Sequence, residues 1–193
     1  MKTNLLYIVF IISVLFTAVN INTDAQRRVI VVRKPARTVV MTRVPASRVV
    51  YVNRRVIAGP VVVRTLPAAT VTIVHRRVPY YYHAGCYYVL REGAYVTVPP
   101  PAGIVVPVLP SVFVRVFVSP VTYFYAGGVF YNQVPGGYET VAPPAGAQIT
   151  ELPEGAEKVN VEGKIFYEHN GTLYKKVETD NGFAYEVSGS VEG

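Results

Sequence analysis

The chain has one cysteine and no tryptophan, and no acidic residue lies between Gln26 and Pro79. A single Cys cannot form an internal disulfide, so the fold must be held by strand pairing, packing or association. Cys86 is left for an intermolecular bridge or for packing as a small hydrophobe. The three histidines, His75, His83 and His169, share no metal-ligand spacing. His83 and Cys86 could meet across a turn, but two ligands do not make a site. No serine sits in a nucleophile-elbow context, and no glycine loop is built to cradle a phosphate. These absences point to a non-enzymatic chain with no catalytic residue, no cofactor and no metal.

No run reaches the roughly 20 apolar residues needed to span a bilayer as a helix. The apolar stretch Leu5–Val19 is shorter, follows Lys2, and is succeeded by the small-x-small pattern Thr23-Asp24-Ala25. That order is the layout of a secretory signal peptide. Residues 1–25 are therefore expected to be removed after Ala25, with the mature chain exported across the inner membrane. Its destination would be the periplasm, the outer membrane or the cell surface.

What is present is a charge asymmetry and a repeat. Gln26 to Pro79 holds eleven Arg plus Lys34, whereas Tyr80 to Gly193 holds six basic and eleven acidic residues. Residues 26–65 read as a low-complexity Val/Arg/Pro arm. Its β-branched residues favour extended backbone, while Pro35, Pro45 and Pro60 cut strands short. Segments with one sign of charge are usually interaction tails. The arm is expected to contact anionic envelope polymers or lipid headgroups through Arg27, Arg28, Arg33, Lys34, Arg37, Arg43, Arg48, Arg54 and Arg55. Nucleic acid would suit the charge but not the compartment.

Beyond the arm, landmarks return every 43 residues: Leu66-Pro67, Leu109-Pro110 and Leu152-Pro153, then Gly85, Gly128 and Gly171, then Tyr88, Tyr131 and Tyr174. Such coincidence at one spacing means a tandem supersecondary unit. The units are taken as 66–108, 109–151 and 152–193. Each reads as four short strands joined by Gly-containing turns. Ala84-Gly85, Gly127-Gly128 and Asn170-Gly171 are the two-residue hairpin turns that need positive φ. The expected fold class is all-β, with small antiparallel meander or barrel-like repeats of about 43 residues preceded by the extended basic arm. Four short strands cannot bury a sheet face alone, so the units must stack.

Tyr is the most abundant aromatic, with fifteen copies. Tyr suits the pleated, half-buried surface of a sheet, and that structural role is the first reading. The other reading is carbohydrate or peptidoglycan binding, in which exposed Tyr88, Tyr131 and Tyr174 stack on sugar rings. The run Val112–Val118, interrupted only by Arg115, is either fully buried or a route to self-association through strands.

The segments Gly137-Tyr138-Glu139-Thr140-Val141-Ala142-Pro143-Pro144-Ala145-Gly146, Leu152-Pro153-Glu154-Gly155 and Val161-Glu162-Gly163-Lys164-Ile165-Phe166-Tyr167 carry a resemblance. With the signal peptide and the Val/Arg/Pro arm, the chain resembles a family of uncharacterised bacterial envelope proteins defined as a domain of unknown function. The resemblance implies export and small all-β repeats, and supplies neither catalytic residues nor a ligand. The expectation that follows is a structural or adhesive envelope protein.

Overall fold

The computed structural model describes residues 29–30, 41–52 and 59–192. The proposed signal peptide and about half of the arm lie outside the described residues. Among those described, the chain is almost entirely β, with a single 3-10 turn at Ala46–Arg48 and no α-helix.

The arm contributes β1 (Val29–Ile30), β2 (Thr42–Pro45) and β3 (Val49–Tyr51). The first unit comprises β4 (Val62–Val63), β5 (Val71–His75), β6 (Val78–His83), β7 (Cys86–Arg91) and β8 (Ala94–Thr97). The second comprises β9 (Val105–Val106), β10 (Val114–Val118), β11 (Val121–Ala126), β12 (Val129–Val134) and β13 (Gly137–Val141). The third comprises β14 (Gln148–Ile149), β15 (Glu157–Val161), β16 (Lys164–His169), β17 (Thr172–Thr179) and β18 (Gly182–Glu192).

Each unit is one sheet built to one plan. Four strands run as an antiparallel meander, and a two-residue strand lying before the Leu-Pro landmark pairs antiparallel with the last of them. That short strand belongs by pairing to the unit that follows it. Val105–Val106, placed at the end of the first repeat by the Leu-Pro boundaries, therefore starts the second sheet, and Gln148–Ile149 starts the third. The Gly-containing turns behave as their chemistry requires. Ala84-Gly85, Gly127-Gly128 and Asn170-Gly171 all hold paired positive φ, at 47° and 93°, 54° and 91°, and 47° and 78°. The hairpin before each of these turns at Arg76-Arg77, Ser119-Pro120 and Glu162-Gly163, so two arginines adopt positive φ in the first unit.

The arm does not simply precede the repeats. Strand β1 adds parallel to β10 at the edge of the second sheet, and β3 adds antiparallel to β15 in the third. On the other side of the third sheet β2 runs parallel to β18. These long-range pairings fit the edge-strand preference of a Val-rich, Pro-punctuated segment.

Three apolar clusters hold the stack. One joins Tyr82 and Tyr87 of the first unit to Ile104, Val106, Leu109, Phe124 and Tyr131 of the second. Another joins Val116, Tyr125 and Phe130 of the second to Ala147, Ile149, Tyr174 and Val187 of the third. The last lies between the third unit and the arm, with Val44 against Val159, Val161 and Leu173.

Candidate functional site

Two of the nine arm residues expected to meet polyanions are described. Arg43 projects from β2 with its side chain 79% exposed and its Nε 3.8 Å from a Glu192 carboxylate oxygen. Arg48, on the 3-10 turn, donates from Nη1 to Glu162 at 2.9 Å and is 64% exposed. Both therefore face water on the rim of the acidic third unit, where exposed pairing of this kind leaves the guanidinium available to a competing anion. Arg27, Arg28, Arg33, Lys34, Arg37, Arg54 and Arg55 lie outside the described residues.

The tyrosines expected to stack on sugars are corrected by the structure. Tyr131 and Tyr174 are fully buried and Tyr88 is only 8% exposed. The Tyr131 and Tyr174 rings sit on the sheet face that meets the preceding unit, because period-2 alternation sends i and i+2 to the same side and stacking closes that side. Tyr88 holds the same position in the first unit, where it lies beside Tyr81 in the sheet itself. Tyr131 accepts a hydrogen bond from the Tyr87 hydroxyl at 3.1 Å. Burial in these seams pushes the phenols up: Tyr131 to about 12, with Tyr87, Tyr125 and Tyr174 raised further. Such groups stay neutral at physiological pH.

Among the described residues the exposed aromatic rings are Phe117 and Phe183, and a half-buried aromatic pair was also not singled out by the sequence. Tyr81 and Tyr95 form an edge-to-face pair, with ring centroids 5.0 Å apart, on the open side of the first unit. The same pair recurs as Phe124 with Tyr138 at 5.2 Å and Tyr167 with Tyr185 at 5.3 Å. In those units a neighbour covers it. The 43-residue offset carried the signal, since each pair aligns once the four extra residues of the third unit are allowed.

His83 lies opposite Cys86 in the β6–β7 ladder, and Cys86 is exposed. Among the described residues no group of three or more His, Cys, Asp or Glu is arranged to hold a metal. No described helix is long and apolar enough to cross a membrane. Burial pushes the His169 imidazole down, against the opposing influence of Glu168.

Residues 50–190 match the model of a protein family described as "Family of unknown function (DUF6515)". No curated protein and no solved structure matches the chain.

Proposed function

The chain belongs to this family of unknown function, and we propose that it is an exported, non-enzymatic structural or adhesive protein of the cell envelope. In this reading the three stacked sheets are a rigid scaffold and the basic arm is the contact segment for anionic envelope polymers or lipid headgroups. The observation that carries it is the exposure of Arg43 on β2 and of Arg48 on the turn between β2 and β3, a segment otherwise anchored to the third unit. They belong to a stretch of twelve positive charges without one acid. Anchored backbone with solvent-exposed cationic heads lowers the entropy lost when a polyanion displaces their surface ion pairs. The carbohydrate-binding reading that used Tyr88, Tyr131 and Tyr174 loses its platform, because those rings are interior.

Deleting the whole arm would be a poor test, since strands of the second and third sheets would go with it. The test is retention of the full mature chain on acidic polysaccharide and on anionic vesicles across a salt series, with Arg43→Gln/Arg48→Gln alongside. Retention should fall steeply with salt, and the double variant should elute earlier at every step. Retention indifferent to both salt and the substitutions defeats the reading. Cell fractionation with sequencing of the mature N-terminus tests export separately.

A further inference from the structure

The two seams inside the chain are one interface used twice. Tyr82, Tyr87 and Ile73 of the first unit occupy the leading face of its sheet; Tyr125, Phe130 and Val116 occupy the same positions in the second. The trailing face that receives them is Ile104, Val106, Leu109 and Tyr131 in one seam and Ala147, Ile149, Leu152 and Tyr174 in the other. The Leu-Pro landmark has its explanation here. A Cβ on Gly85 would lie 2.8 Å from Pro110 Cγ, and one on Gly128 would lie 3.2 Å from Pro153 Cβ. Each proline thus seats on the turn glycine of the preceding unit.

An interface of this head-to-tail kind does not close on itself, so both ends of the stack present a face. Repeat arrays ordinarily cover such ends with a cap. The leading face of the third unit, Val159, Phe166 and Leu173, is covered by Val44, Val49 and Tyr51 of the arm. The arm therefore stands where a fourth unit would dock. The trailing face of the first unit has no cover among the described residues. Val61 is 58% exposed where its counterpart Ile104 is 1% exposed, and Val63, Leu66, Tyr81 and Tyr95 are only half-buried.

We propose that the trailing face of the first unit docks the leading face of the third unit of a second copy, after strands β2 and β3 of that copy have moved aside. Three observations name this occupant over others. The contact continues an interface already present twice in the chain. The docked arrangement seats Pro67 of one copy on Gly171 of the next, the third member of the Gly–Pro series. Charge also matches: the first unit carries Arg64, Arg76, Arg77 and Arg91 against Glu92, whereas residues 146–192 carry nine acids against four lysines. The basic arm is then a self-cap that competes with the basic first unit of another copy for one acidic end. Arg43 with Glu192 and Arg48 with Glu162 are its electrostatic latches. Repetition of the contact gives an open-ended chain of copies, and the inference stands whether or not the arm binds polyanions.

The test is sedimentation velocity of the full mature chain across a concentration series. Two variants release the cap. Gly189→Ala places a Cβ 2.5 Å from the Thr42 carbonyl oxygen, under β2. Arg43→Glu/Arg48→Glu reverses both latches at exposed positions that leave the core untouched. Each should form species extending beyond the dimer as concentration rises. Adding Val61→Lys/Leu66→Lys on the open face should return them to monomers. Alkylation of Cys86, which lies on that face, should slow roughly tenfold when nine copies in ten are docked. Folded, latch-reversed protein that remains monomeric overturns the proposal. So does association that stops at a dimer, or that survives the open-face substitutions.

Discussion

The Tyr87 hydroxyl donates to the Tyr131 hydroxyl at 3.1 Å across the seam between the first and second units, with both rings buried. The corresponding pair at the next seam is Phe130 and Tyr174, where the Tyr174 hydroxyl has no hydrogen-bond partner; Thr172 is near but outside bonding geometry. One substitution at equivalent positions should therefore have opposite signs. Tyr131→Phe strands the Tyr87 hydroxyl in an apolar seam and should cost about 1–3 kcal/mol. Tyr174→Phe removes an unsatisfied polar atom and should be neutral or stabilising by up to about 1 kcal/mol. Urea unfolding decides it, and the double variant Tyr87→Phe/Tyr131→Phe should recover most of the first loss.

Burial of these phenols couples the fold to alkaline pH. Desolvation raises Tyr131 to about 12 despite the opposing hydrogen bond from Tyr87, and raises Tyr87, Tyr125 and Tyr174 further. An unfolded Tyr ionises near pH 10. Below that pH both states are protonated and the full stability is present. Above it the unfolded state loses protons that the folded state keeps, so stability falls as pH rises toward the folded values. For Tyr131 alone the loss by pH 12 is on the order of 3 kcal/mol. Tyrosinate absorbance should show an early fraction from exposed rings and a late fraction rising together with loss of the β-sheet dichroism signal. Ionisation of every tyrosine near pH 10 with the sheet intact would contradict the buried seams.

The Gly–Pro contact between units can be separated from ordinary turn strain. Gly85 and Gly93 both hold positive φ, at 93° and 79°, but nothing lies within 4 Å of a Cβ on Gly93, whereas Pro110 Cγ lies 2.8 Å from one on Gly85. Gly93→Ala should cost only the left-handed penalty of about 1–2 kcal/mol. Gly85→Ala should cost at least about 1 kcal/mol more through overpacking of the seam. Pro110→Ala in the Gly85→Ala background should narrow the gap between them, as read from thermal unfolding.

The repeat was legible in the sequence because its landmarks are the residues of the seam: Pro110 and Pro153 seat on Gly85 and Gly128, and neither partner can drift without breaking the stack. The all-β class followed from period-2 patterning and from turns whose φ demands Gly. Other features carried no local signal. Alternation places Tyr131 and Tyr174 on one face of a strand but does not say that another unit closes that face. A two-residue strand such as Val105–Val106 is too short to show a period, so its pairing with β13 across the Leu-Pro landmark was not legible. The turn at Arg76-Arg77 holds positive φ without a Gly or Asn to announce it. The arm's partners are far away in sequence, as the Tyr51 hydroxyl near Glu168 illustrates at 3.4 Å. Only the folded backbone brings them together.

Thr140 offers a test of how interchangeable the units are. Its buried hydroxyl accepts from the Ile104 N–H at 2.9 Å and donates to the Pro101 carbonyl at 2.6 Å, bridging the turn that leads into β9. In the third unit Val187 takes this place, and the Ala147 N–H bonds the Pro144 carbonyl directly at 3.0 Å. The Thr140 hydroxyl is thus inserted into a bond that the sister unit makes without help. Losing a buried hydroxyl with two partners ordinarily costs about 1–3 kcal/mol. Here Thr140→Val should cost under about 1 kcal/mol, because the branched side chain still fills its site and the Ile104 N–H can close onto Pro101. Thr140→Ala also removes packing and should cost about 1 kcal/mol more than Thr140→Val. Hydrogen exchange at the Ile104 amide supplies the structural readout: protection retained in Thr140→Val means the direct bond has formed, and protection lost means the two turns are not equivalent.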